Sequence, residues 1–329
     1  MASPLPGPMP RTAPRSLPPG EAVAVALSAA ILAVRAGEPV VAVVPAQRPD
    51  EESLPSGPFH PRAHRTLESA VATWAQAQTG VEVGFLQQLC TLADCAGMEP
   101  APPTLSVSYL ALVGPRQCSD RTPARWRSWY AFFPWEDWRY GRPERLVDIC
   151  GRLEAWADQD EPPCVTAPPS DRQQRVRMAF GAAGAGWDEE KVLDRYALLR
   201  EAGIIEHATS DGAAPRTPRL VHPLLGDQGA LLARAIGELR RAVKSRPLVF
   251  ELMPEEFTLF ELQKTVEAVL GPHLHKQNFR RMVEGGGLVE PTGEHRLRTG
   301  GRPARLYRFR RDVVWERSAP GVRVKAGRA

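Results

Sequence analysis

Residues 257–309, FTLFELQKTVEAVLGPHLHKQNFRRMVEGGGLVEPTGEHRLRTGGRPARLYRF, carry the layout of a small domain in their turn signals. Thr258 stands three residues before Glu261, the spacing of a capping box that starts a helix. Leu259, Leu262, Val266 and Val269 recur on one face of that helix. Gly271-Pro272 stops it in a short turn. A second helix runs through His275–Glu284, with Phe279 and Met282 toward the core, and Gly285-Gly286-Gly287 ends it. Leu288–Glu290 and Arg305–Phe309 then read as two strands. Between them lies the Gly-rich, basic loop TGEHRLRTGGRPA (292–304).

Helix, turn, helix, strand, basic loop, strand is the order of a winged helix-turn-helix. In that geometry the second helix enters the major groove of DNA and the first crosses the backbone. The side chains suit the task. Lys276, Gln277, Asn278, Arg280 and Arg281 fall on the solvent faces of the second helix. Gln and Asn pair with adenine edges and Arg with guanine edges. Arg296, Arg298 and Arg302 sit on the loop, placed to reach phosphates or a minor groove. Charge supports the same partner. Residues 271–329 hold 14 Lys/Arg and 5 Asp/Glu, whereas the rest of the chain holds 28 and 33. A winged scaffold that docks protein is the alternative, and the local excess of nine positive charges weighs against it.

Working outward, 329 residues suggest two domains. A chain that is 43% hydrophobic and 24% charged is globular, and no apolar run reaches the roughly 18 residues of a membrane helix. Cys90, Cys95, Cys118, Cys150 and Cys164 form no CxxC and no zinc spacing, so reduced thiols and a cytoplasmic setting are expected. Residues 1–21 are Pro-rich and read as a disordered tail, and 318–329 as a basic tail. Residues 22–245 form the expected sensing domain, with a helical insertion around 144–207, and 246–317 the DNA-binding domain. Ala22–Val34 and Pro39–Val44 read as strands covered on both faces, joined at Ala36-Gly37-Glu38. Val83–Leu92 and Thr104–Val113 are further strands; residues 144–158, 170–183, 188–202 and 227–244 are helices. Trp126–Trp138 is densely aromatic and expected mostly in the core, with Glu136 and Asp137 pairing to Arg139 or Arg142.

Residues 54–81, LPSGPFHPRAHRTLESAVATWAQAQTGV, hold a Pro/Gly loop, a helix N-capped at Thr66 and a Gly stop at Gly80. The frame resembles the Nudix signature G-x5-E-x7-R-E-U-x-E-E-x-G-U, where U is bulky and apolar. The Glu residues of that family bind divalent metal at a diphosphate. Anchored on Gly80-Val81, the Arg position is Thr73 and the three following Glu positions are Trp74, Ala77 and Gln78. The upstream Gly and Glu positions are Phe59 and Arg65. Magnesium needs hard oxygen ligands, and these residues offer no carboxylate. An active Nudix-type nucleoside-diphosphate hydrolase is therefore the alternative, and no catalytic residue, metal or cofactor is expected.

A degenerate Nudix domain followed by a winged helix resembles the NrtR-type regulators of NAD metabolism, and more closely the alphaproteobacterial regulator usually called NadQ. The blocks that carry the likeness are Gly57–Glu68, Phe132–Arg139, Arg246–Pro254, Phe257–Ala268, Leu274–Glu284 and Gly301–Arg311. The resemblance implies an α+β chain, a Nudix-like α/β/α sandwich with helical additions followed by a winged helix-turn-helix. It implies a homodimeric repressor on double-stranded operators of NAD-biosynthesis genes, answering to a nucleotide such as NAD, ATP or ADP-ribose. Arg62, His64 and Arg65 are the loop cations expected to hold the effector's phosphates.

Overall fold

The computed structural model describes residues 23–46, 51–94, 104–118, 123–158, 172–181, 186–205, 220–296, 303–310 and 312. The expectations for residues 1–21 and 318–329 lie outside these, as do Cys95 and Cys164.

The first strand, β1 (Ala24–Arg35), turns into β2 (Glu38–Pro45) through a two-residue hairpin, with Arg35 opposite Glu38. Ala36 and Gly37 both take positive φ, 51° and 81°, the twist that such tight hairpins need. The sheet continues through β3 (Glu52–Ser53), β4 (Ser56–Pro58), β5 (Phe85–Asp94), β6 (Thr104–Leu112) and β7 (Arg125–Ser128). Its main path runs β3-β2-β1-β6-β5, with β4 on β1 and β7 on β2. β1 and β6 pair in parallel from Ala24↔Thr104 to Leu32↔Leu112.

Alternate residues of the apolar strands serve two different cores. Leu27, Ala29, Ile31 and Ala33 of β1 join Val107, Tyr109 and Ala111 of β6 under helix α1 (Leu67–Thr79). Ala30, Leu32 and Val34, with Leu110 and Leu112, face the other way. That second face is covered by α5 (Gln228–Ser245) and the first helix of the C-terminal part, and the added helices α2 (Arg145–Ala157), α3 (Arg172–Phe180) and α4 (Val192–Glu201) extend the same core from α5. Both faces covered is what a continuous Val/Ala/Leu run signals.

The C-terminal part adds β8 (Glu256–Phe257), α6 (Leu259–Leu270), α7 (Lys276–Gly285), β9 (Val289–Arg296) and β10 (Ala304–Phe309), the strands ordered β8-β10-β9. The capping box forms as spaced: Thr258 Oγ1 accepts from the Glu261 N–H at 3.2 Å, and the Thr258 N–H donates to Glu261 at 2.8 Å. Leu259, Leu262, Val266 and Val269 are buried, as is Phe279. Their core is continuous with Val34 and Val41 of the sheet.

The aromatic stretch folds as two 3-10 turns, Trp129–Ala131 and Pro134–Glu136, and Trp129, Tyr130, Phe132, Phe133 and Trp135 are buried. Asp137 meets Arg139 at 2.8 Å, as expected. Glu136 does not pair there. It sits between Arg195 of α4, at 2.6 Å, and Arg240 of α5, also at 2.6 Å. The local acid–base spacing misled because a long-range pair claimed the carboxylate. Both guanidiniums are fully buried. Burial pushes the Glu136 carboxyl up, but the charges of Arg195 and Arg240 and their hydrogen bonds win and hold it below its usual range.

Removing one partner of a buried ion cluster leaves an uncompensated charge, so Glu136→Ala is expected to cost about 3–5 kcal/mol. Denaturant unfolding of the full chain measures it. A depressed folded pKa gives stability that is complete above the ordinary carboxylate value of 4.5 and is lost as pH falls below it. The wild type should therefore lose stability more steeply than the variant on acidification below that value.

Candidate functional site

The turn between α6 and α7 is set by a residue that no local sequence pattern marked. Glu267 is 3% exposed. It accepts from the Leu274 N–H at 3.0 Å, from Gln263 Nε2 at 2.9 Å and from Lys264 Nζ at 2.8 Å. Gln263 Nε2 also donates to the Leu274 carbonyl at 2.9 Å. Burial pushes the carboxyl up, and Lys264, the Leu274 N–H and Gln263 outweigh it and hold it low. One faint signal was present: an acid in the last turn of a helix opposes the helix dipole and needs a reason to be there.

With the turn fixed, Phe279 and Val283 anchor α7. Lys276, Gln277, Asn278, Arg280 and Arg281 are all exposed on it, as their spacing predicted. None makes a hydrogen bond or ion pair among the described residues, so their donors face outward together. Arg296 is different. It closes β9 and is held by Glu261 at 2.6 Å and by the Glu256 carbonyl at 3.3 Å. It braces the winged sheet against α6 instead of riding on a free loop tip. Arg298 and Arg302 lie outside the described residues. Arg305, exposed on β10 opposite His295, extends the cationic surface and was not singled out from sequence.

At the opposite end, α1 starts at Thr66, whose side chain accepts from Ser69 N–H at 3.1 Å, and stops at Gly80 with φ 69°. Two Nudix acid positions stitch this helix to β4. Trp74 Nε1 donates to the Pro58 carbonyl at 3.0 Å. Gln78 closes a pair with Ser56, accepting from its N–H at 3.1 Å and donating to its carbonyl at 2.6 Å. Gly57 is required beneath the indole, because a Cβ there would lie 2.4 Å from the ring. Ala77 is exposed. The slot between Ser56 and Trp74 is therefore filled and leaves no space for even a water molecule. Glu68 lies nearby, accepting from Tyr109 Oη at 3.3 Å. Partial burial and that carboxylate push the Tyr109 phenol up to about 12.

Of the loop cations, His64 is turned inward. Its Nδ1 accepts from the His60 N–H at 3.3 Å, and its ring stacks on Phe59 and His60. Arg62 and Arg65 are exposed at the mouth of α1. Among the described residues no three His, Cys, Asp or Glu side chains come together as a metal site, and no helix is long and apolar enough to cross a membrane.

Open volume lies on the other face of the sheet. A cavity of about 480 Å³ opens between the edge strand β5, helix α5 and the segment that leads into α4. Its walls are polar and carry both charges, with Gln87, Asp194, Arg234 and Glu238 among them.

Comparison with known proteins agrees with this geometry. Residues 249–309 match the family described as the NrtR DNA-binding winged helix domain, so this segment is such a domain. The ADPR responsive transcriptional repressor NtrR of Acinetobacter baylyi is 42% identical over 83 residues, 25% of this chain and 33% of that protein. The match thus spans a third of the relative's length. The structure of Shewanella oneidensis NrtR complexed with a 27mer DNA aligns over 91% of this chain and 98% of its own, with 20% identity and a TM-score of 0.53. A second structure of Shewanella oneidensis NrtR aligns over 88% and 94%, with 20% identity and a TM-score of 0.51. The fold is accordingly the two-part α+β arrangement expected, a Nudix-like sheet domain with helical additions followed by a winged helix.

Two variants probe these contacts. Glu267→Ala takes the acceptor from the partly buried Leu274 N–H and leaves Gln263 only the Leu274 carbonyl, and should cost about 1–3 kcal/mol in denaturant unfolding, with faster amide exchange in α7. Gly57→Ala drives a methyl into the Trp74 indole and should cost about 1–3 kcal/mol, visible as a lower thermal midpoint and altered tryptophan fluorescence.

Proposed function

We propose that the chain is a DNA-binding transcriptional repressor of NAD-biosynthesis genes, controlled by a nucleotide bound to its Nudix-like part. The observation that carries the reading is α7: five outward side chains able to read bases or hold phosphates, on a helix whose entry is fixed by Glu267. The match of this segment to an NrtR DNA-binding winged helix domain supports it. So does the cationic excess of residues 271–329. The response to a nucleotide is supported by the relative's description as ADPR responsive, which makes ADP-ribose the leading effector ahead of NAD and ATP. A helix-turn-helix that reads two half-sites about one helical turn apart works as a dimer, so a cytoplasmic homodimer on a symmetric operator completes the proposal.

The Nudix-like part then serves as a sensor and not as an enzyme. Trp74 and Gln78 spend their polar atoms on β4, and Ala77 has none to offer a metal. No magnesium-dependent release of products from ADP-ribose or NADH is expected.

Arg280→Ala should weaken operator binding by about 1–3 kcal/mol if its guanidinium reads a base. Fluorescence anisotropy at fixed salt measures this. Wild-type affinity should also fall steeply with added salt, as counterion release requires. Affinity for duplex DNA that does not respond to salt, or is untouched in Arg280→Ala, defeats the assignment.

A further inference from the structure

We propose that the cavity beside β5, and not the loop of Arg62, His64 and Arg65, takes the ribose-phosphate portion that NAD, ATP and ADP-ribose share. The inference rests on the nucleotide-responsive reading above and places its site.

The cavity holds about 480 Å³, within the range of small-molecule sites, and the slot beneath α1, which Arg62, His64 and Arg65 do not line, is filled by Trp74. The β5–β6 register shifts between Gln88 and Cys90, a bulge at the sheet edge beside the opening, which Gln87, Gln88 and Leu89 line. Bulges at sheet edges commonly re-aim side chains.

The chemistry of the walls fits a sugar phosphate. Arg234, Glu238 and Arg241 recur along one face of α5. Glu238 is met by Arg241 at 2.9 Å and by Gln87 Nε2 at 3.4 Å. Arg234 on α5 and Asp194 on α4 make no hydrogen bond or ion pair among the described residues, and both line the cavity. A free guanidinium fork matches a phosphate, and a free carboxylate accepts from the vicinal hydroxyls of a ribose. Among the described residues no aromatic side chain lines the cavity, so none of them would stack a base there. That is the selectivity expected if the shared portion is what is held.

The cavity wall also leads to the winged helix. The Asp188 carbonyl accepts from Arg195 Nη1 at 2.9 Å, and the Glu189 carbonyl accepts from Arg240 Nη1 at 2.9 Å. Arg240 Nε in turn donates to the Val269 carbonyl at the end of α6, at 2.9 Å. Gly237 of α5 lies so close to the same turn that a Cβ would be 2.7 Å from the Glu190 carbonyl. A ligand that shifts Asp188–Lys191 therefore moves the partners of the guanidinium that anchors α6. Occupancy of the cavity is how the effector alters operator affinity.

Calorimetry on the full chain with ADP-ribose, ATP and NAD tests the placement, with ribose 5-phosphate as competitor. Arg234→Glu should weaken the nucleotide that binds by about tenfold or more, the scale of a lost charge-assisted hydrogen bond. The double variant Arg62→Ala, Arg65→Ala should leave it unchanged, and ribose 5-phosphate should compete. Arg234 is exposed, so Arg234→Glu should keep wild-type operator affinity without nucleotide. Hydrogen exchange on the wild type gives a readout free of variants, with protection expected in residues 85–92 and 188–194. Protection in residues 57–68 instead, or loss of binding only in the loop double variant, overturns the placement and leaves the proposed function standing. A wild type that binds operator but none of the three nucleotides overturns both the sensor reading and this one.

Discussion

Glu136 between Arg195 and Arg240 is the constraint on which the arrangement of this molecule depends. Taking three charges out of water costs several kcal/mol per ion unless each finds partners inside. Here each does. Arg195 reaches the Ala179 and Asp188 carbonyls as well as Glu136, and lies 3.9 Å over the Trp187 ring. Arg240 reaches the Glu189 and Val269 carbonyls. One carboxylate from the turn after β7 thereby fixes the ends of α3 and α6, the start of α4 and the middle of α5 relative to one another. A hydrophobic isostere would fill the volume, but it would not specify which helix end meets which. The aromatic turn that carries Glu136 adds its own tie, since Tyr130 Oη donates to the Ala268 carbonyl at 3.1 Å.

Trp74 and Gln78 of α1 answer a second constraint. A helix beside a strand must satisfy the strand's free backbone groups, because buried polar atoms without partners are costly. Glutamates that hold metal leave this task to others. Trp74 and Gln78 take up that task here, and α1 is drawn tightly onto β4 over Gly57. The open volume lies on the opposite face, between β5, the start of α4 and α5.

What the sequence disclosed, and what it hid, follows the reach of each interaction. Signals spanning a few residues were legible: the Thr258–Glu261 box, the left-handed stop at Gly80 and the exposed face of α7 around Phe279. The two-sided burial of β1 was legible too, because an unbroken apolar strand leaves neither of its faces fit for water. Glu136 was misassigned because its partners lie 59 and 104 residues away, beyond any local pattern. Arg296 was placed on a loop tip because its acid, Glu261, is 35 residues back and already engaged in a cap. The cavity was invisible for the same reason. Its walls come from β5, the segment before α4 and α5, and no single stretch of sequence contains its chemistry.

The continuity of the core limits how the two parts can communicate. A single apolar cluster runs from Val41 of β2 through Leu239 of α5 to Leu262 and Phe279 of the winged helix. The winged part cannot swing freely, because opening that contact would expose core side chains worth roughly 1.5–3 kcal/mol each. In the proposed regulator, coupling between the two parts therefore acts by a small repacking of this shared core. The energy required is modest: a tenfold change in operator affinity needs only about 1.4 kcal/mol of coupling. A hydrogen bond from a charged donor is worth about 1.5–3 kcal/mol, so the Arg240–Val269 contact alone is of the right size. Losing or strengthening one bond at the end of α6 would turn α7 relative to the sheet domain without unfolding anything. A buried, fully partnered guanidinium suits that role, since its rigid fork holds a few definite arrangements and none in between.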